Sequence, residues 1–106
     1  MELKEAILHQ LNRGRENAVK GSLLAKRLGF KDDRTIRLTI REMIANGVPI
    51  ASSTSTPAGY FISETLEESV DYMRDLKSRL VENAYRLRDF KRASREIVEP
   101  YQMVML

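Results

Sequence analysis

The sequence predicts a mainly helical α+β fold: three short helices, a small β-hairpin and a long C-terminal helix. Three observations carry this reading. Apolar residues recur at helical spacing in stretches of the N-terminal half. Two short apolar runs then flank a small, hydroxylated, proline-broken loop at residues 52–58. After that hairpin neither proline nor glycine interrupts the chain until Pro100, and apolar residues there recur every seven positions.

Taken in order, Leu3, Ile7, Leu8 and Leu11 form one apolar stripe on a first helix over residues 2–12. Asn12-Arg13-Gly14-Arg15 breaks the pattern with turn residues. Ser22 is placed to cap a short second helix from Leu23 to Leu28, and Gly29 to supply the left-handed residue that ends it. Asp32 is the expected cap of a third helix, with Asp33 set against its positive end. That helix should bury Ile36, Ile40, Met43 and Ile44 and stop at Asn46-Gly47. Val48-Pro49-Ile50-Ala51 and Gly59-Tyr60-Phe61-Ile62 read as the two strands.

Thr65-Leu66-Glu67-Glu68 fits a capping box, in which a hydroxyl and a carboxylate satisfy backbone donors at the start of a helix. Leu66, Met73, Leu80, Leu87 and Ser94 then form one heptad series, and Ser69, Leu76, Asn83, Phe90 and Ile97 the second. Acids gather early in this helix and bases late, as its dipole prefers. The tail from Tyr101 to Leu106 is apolar and needs a surface to cover it. The organisation expected is two parts, residues 1–62 and residues 63–106.

Composition excludes several classes. The 106 residues contain no cysteine and one histidine, His9, so disulfides are ruled out and no metal or other cofactor is expected. Acids near Met1 argue against a secretion signal, and no apolar run approaches the ~20 residues of a membrane helix, so an intracellular, cytoplasmic protein is expected. No glycine loop cradles phosphate and His9 has no evident partner, so no catalytic residues are assigned and an enzyme is not expected. No small-molecule pocket is readable. The net charge is +3, unevenly spread: residues 1–62 hold ten Lys/Arg against six Asp/Glu, residues 63–106 eight against nine. A polyanion should therefore dock on the N-terminal half.

The order helix, helix, turn, helix, two-strand hairpin resembles a winged helix-turn-helix domain. Over residues 21–62 the positions Leu24-Ala25, Leu28-Gly29, Arg34-Thr35-Ile36-Arg37, Ile40, Gly47, Ile50 and Gly59-Tyr60 are similar to biotin-repressor-like regulators and small prophage-type winged-helix proteins. The likeness covers about two-fifths of the chain and names a fold more firmly than a function. Two departures stand out. Gly29-Phe30-Lys31-Asp32-Asp33-Arg34 makes the turn about one residue longer than the family's, which usually has a Ser or Thr cap soon after Leu-Gly. The 106 residues are expected to hold no ligase or other catalytic domain, only the part that resembles the DNA-reading domain of such regulators.

The resemblance implies double-stranded DNA as partner, with the N-terminal part of the third helix in the major groove. Opposite its buried stripe that helix presents Arg34, Leu38, Arg41 and Ala45, flanked by Thr35, Arg37 and Glu42. Arg34 and Arg37 are assigned to base edges and Leu38 to a thymine methyl, with Thr35 and Arg41 on phosphates. A solvated amphipathic face is the plain alternative. Ser53, Thr54 and Ser55 at the wing tip suit phosphate contacts, although the tip lacks Arg or Lys and a flexible loop fits equally. Lys20, Lys26, Lys31 and Arg27 lie where they could reach the flanking backbone, or simply face solvent.

A helix over residues 65–95 would span about 46 Å, longer than the roughly 30–35 Å width of a globule this size. Its stripe therefore calls for a second copy, paired as a coiled coil through Leu66, Met73, Leu76, Leu80, Asn83, Leu87 and Phe90. Parallel and antiparallel seams both fit, and Asn83 could set register. The expected function is a sequence-specific, dimeric transcriptional regulator, nucleoid-associated if bacterial or phage. A winged-helix protein-interaction adaptor, or a replication or architectural DNA-binding protein with little sequence preference, are the alternatives. Whether an effector exists is not legible.

Overall fold

The computed structural model describes residues 2–101. The apolar tail noted above lies, from residue 102 onward, outside them. The chain divides after Tyr72 into two compact units. The elements run α1 (Leu3–Gln10), a single 3-10 turn at Arg15–Asn17, α2 (Gly21–Arg27), α3 (Arg34–Ala45), β1 (Ile50–Ser53), β2 (Gly59–Ile62), α4 (Leu66–Ala93), α5 (Arg95–Val98) and a last 3-10 turn at Glu99–Tyr101. Mostly helical, with one two-stranded antiparallel hairpin, this is an α+β winged helix.

The core of the first unit draws one or more side chains from each of α1, α2, α3, β1 and β2. Ile7 of α1, Leu24 of α2 and Ile36 of α3 are fully buried, joined by Leu11, Val19, Ala25, Ile40, Met43, Ile50 and Ile62. Truncating a side chain such as Ile36 to alanine in such a core costs about 2–5 kcal/mol. Ile44, expected to be buried, is instead 43% exposed. At ~100° per residue Ile36, Ile40 and Met43 fall within a narrow arc, whereas Ile44 lies about 80° to one side.

Helix starts and stops also depart from the sequence reading in definable ways. α2 begins at Gly21, not Leu23: the Lys20 carbonyl already accepts from the amides of Leu23 (3.1 Å) and Leu24 (3.0 Å), so Ser22 sits inside the first turn and caps nothing. Phe30 N–H donates to the Ala25 carbonyl at 2.8 Å, closing the turn around Gly29, whose φ is +82°. α3 starts at Arg34, and the Asp32 carboxylate accepts from the Arg34 amide at 3.1 Å while Asp33 occupies the N-cap position.

The hairpin pairs Ile50 with Ile62, Ala51 with Phe61, Ser52 with Tyr60 and Ser53 with Gly59. β1 therefore begins two residues later than expected. Val48 precedes it, its amide bonded to the Met43 carbonyl at the end of α3 (3.0 Å). The other edge of β2 is also occupied. Val19 and Tyr60 exchange two backbone bonds of 2.8 Å, Ile62 N–H donates to Asn12 (2.8 Å), and Gly14 N–H donates to Ile62 (3.0 Å). The segment read as a simple turn after α1 thus runs beside the hairpin as an irregular third edge.

α4 opens with the expected capping geometry. The Thr65 hydroxyl accepts from the Glu68 amide (3.1 Å), and the Glu68 carboxylate accepts from the amides of Glu64 (2.9 Å) and Arg15 (2.8 Å). The bond to Arg15 ties the start of the helix to the 3-10 turn. At its far end α4 stops at Ala93. There the Ser94 hydroxyl donates to the Phe90 carbonyl at 2.6 Å, competing with the helical ladder, before α5 resumes. Among the described residues no helix is long and apolar enough to cross a membrane.

Candidate nucleic-acid interface

α3 is built as a two-faced helix. With Ile36, Ile40 and Met43 inward, the ~100° step places Arg34, Arg37, Leu38 and Arg41 together on the outer side. These four, with Tyr60 of β2, line a shallow depression of about 400 Å³. Leu38 is 57% exposed. Arg34 and Arg41 have no ion pair among the described residues. Arg37 does: its Nε lies 3.4 Å from Asp33 Oδ1, one turn back. Thr35 is exposed on the flank, its carbonyl accepting from the Thr39 hydroxyl (2.8 Å). Glu42, the flanking acid, is tied to Lys4 of α1 at 2.8 Å, a pair that holds the Lys4 ammonium above its ordinary range.

Tyr60 is the member that the sequence reading placed only in the second strand of the hairpin. Period-two alternation puts it on the same strand face as Ile62, which is the core side. The ring is only half-buried, and it packs where Gly21 begins α2; a Cβ at Gly21 would stand 3.1 Å from Tyr60 Cε2 and 3.1 Å from Asp33 Oδ2. Burial pushes the Tyr60 phenol above its ordinary value, the nearby Asp33 charge adds to this, and Arg37 opposes it. A tyrosine on the core face of a wing strand, long enough to pass the core edge, was the signal available in the sequence.

The wing tip divides. Thr54 and Ser55 are exposed, but Ser53 is not available to phosphate as expected. It is 9% exposed, and its hydroxyl accepts from Arg15 Nε (3.4 Å) and the Ser55 amide (3.2 Å) and lies 3.2 Å from the Ser55 carbonyl, to which it donates. Ser53 faces inward because it ends β1 opposite Gly59, where it closes the turn on itself. Lys20, Lys26 and Lys31 are exposed at the start of α2, in its last turn and in the turn before α3, without ion pairs among the described residues. Arg27 instead donates to Gln10 Oε1 of α1 at 3.3 Å.

The residues assigned to self-association all lie exposed along α4: Leu66, Met73, Leu76, Leu80, Leu87 and Phe90, with Asn83 among them. Leu80 is 70% exposed. Late in α4 the Arg88 guanidinium stands over the Tyr85 ring, 5.1 Å from its centroid, and pairs with Asp89 at 3.3 Å.

Residues 4–61, more than half of the chain, match the family model of the helix-turn-helix (HTH) domain. No match was found among curated proteins or among solved structures. The matched stretch runs from α1 into β2 and includes the whole outer face of α3 and Tyr60.

Proposed function

The chain belongs to the helix-turn-helix family of DNA-binding domains, and from that premise we propose that it is a sequence-specific double-stranded DNA-binding protein acting as a dimeric transcriptional regulator. The observation that carries this reading is the outer face of α3, where three arginines and an exposed leucine line one shallow depression. Arginine is the side chain best suited to donate two parallel hydrogen bonds to guanine O6 and N7, and leucine supplies apolar contact for a thymine methyl. Arg34, Arg37 and Leu38 read bases. Arg41 and Thr35, with Lys20, Lys26 and Lys31 beyond them, hold phosphates and fix the register. Thr54 and Ser55 add backbone contacts from the wing.

Dimerisation rests on the apolar heptad positions of α4, each exposed in the single chain. Stripes of this kind are stable in water when a second helix covers them. Binding is the entire activity in this reading, with no catalytic step and no cofactor.

The test is fluorescence anisotropy with a selected duplex across a range of salt. Arg37→Ala should lose about 1–3 kcal/mol on that duplex and relax preference at one base pair. Arg41→Ala should weaken all duplexes alike and lower the salt slope by about 1. If Arg37→Ala leaves both affinity and base preference untouched, the assignment of the α3 face fails.

A further inference from the structure

An acid on a face that meets phosphate is a liability, since its charge repels the partner. Asp33 is such an acid, lying beside the arginines of α3 and 39% exposed. Two ordinary explanations for it fall away. It occupies the N-cap position of α3, yet its side chain makes no capping hydrogen bond; the neighbouring Asp32 carboxylate takes the Arg34 amide instead. Nor is it needed to neutralise buried charge, because its partner Arg37 is 59% exposed.

Besides lying at the positive end of α3, the carboxylate forms an exposed ion pair with Arg37 one turn on. Oδ1 lies 3.4 Å from Arg37 Nε, while Oδ2 is lodged against the start of α2, near enough that a Cβ on Gly21 would lie 3.1 Å away. Asp33 thus stands half-exposed beside the start of α2, and an ion pair to it narrows the range of a flexible arginine. Engaging Nε leaves both terminal nitrogens of the guanidinium for a partner, and a pair of parallel N–H donors is what a guanine edge requires.

We propose that Asp33 is a specificity-determining positioning residue, which orients the Arg37 guanidinium so that its terminal nitrogens read a guanine. This rests on the assignment of α3 to the major groove. Ordering the arginine before binding lowers the entropy lost on contact, so the gain appears in discrimination. The same carboxylate weakens binding to duplexes that offer no guanine there, through its repulsion of phosphate.

The experiment compares the parent, Asp33→Asn, Arg37→Ala and the double variant on a selected duplex, on the same duplex with the contacted base pair changed, and on an unrelated duplex. Thermal unfolding of each checks that the fold is kept. Asp33→Asn is expected to lose roughly two- to threefold in preference for the selected base pair while binding the unrelated duplex as well as the parent or better. The double variant should lose no more preference than Arg37→Ala alone. Should Asp33→Asn keep the parent's preference, or the two losses multiply independently, the positioning role is overturned while the α3 reading stands. A parent that distinguishes none of the duplexes would overturn both.

Discussion

Gly59 shows how one residue can hold several contacts in place. Its φ is +132°, and a Cβ there would run into the Val19 carbonyl and the Lys20 amide. The two backbone bonds between Val19 and Tyr60 require that approach. Gly59→Ala should therefore lose at least the ~1–3 kcal/mol typical of a strained backbone position, with Tm falling about 4–8 °C for each kcal/mol in a unit this small. Thermal unfolding checks it; an unchanged Tm would mean that the Val19 segment gives way freely. Glu68 makes a different kind of prediction. The Arg15 amide, then the Glu64 amide, hold its carboxyl below its ordinary value of 4.5. A folded pKa lowered in this way adds stability that is fully present above 4.5 and is lost as pH falls through the lowered value. The parent's Tm should drop more steeply than that of Glu68→Gln below about pH 4.5, and parallel curves would remove Glu68 from the account.

Among the elements, α4 carries the clearest consequence. A buried Leu contributes about 1.5–3 kcal/mol, and Leu80 is 70% exposed in the single chain. Two copies at a seam make Leu80→Glu worth roughly a hundredfold or more in dimer dissociation. Sedimentation should show a dimer for the parent and a monomer for Leu80→Glu at tens of micromolar; a monomeric parent would defeat the pairing. α4 was also the most legible element, because Thr65 to Glu68 and the seven-residue repeat are local signals. Its end was not: Ser94 looks like any heptad position until its hydroxyl meets the Phe90 carbonyl. The edge made by Asn12 and Val19 was hidden for a related reason. Isolated bridges to β2 need only backbone groups, and leave no alternation of side chains to read. On α3 the period alone placed Arg34, Leu38 and Arg41 on the outer face, with Ala45 beside them and Arg37 on the flank, whereas the depression is lined by Arg37 and not by Ala45. The inward turn of Ser53 and the reach of Tyr60 depended on the partners that the hairpin brings, Arg15 and Gly21, both distant in sequence.

For the whole molecule the consequence is a matter of size. One α3 face offers three arginines and a leucine, a small reading surface, whereas specific sites usually demand larger interfaces and affinities far above non-specific binding. The dimer proposed above would double the contacts and impose its two-fold symmetry on the DNA. The basic excess on residues 1–62, ten Lys/Arg against six Asp/Glu, adds the salt-dependent attraction to phosphate that brings the two together. The central claim is tested most directly by selecting binding sites from a random duplex library and sequencing the survivors after several rounds. The account predicts an enriched inverted repeat, with half-sites about one helical turn or a multiple apart. Survivors that share no sequence, or a library that the protein fails to retain at low salt, would contradict it.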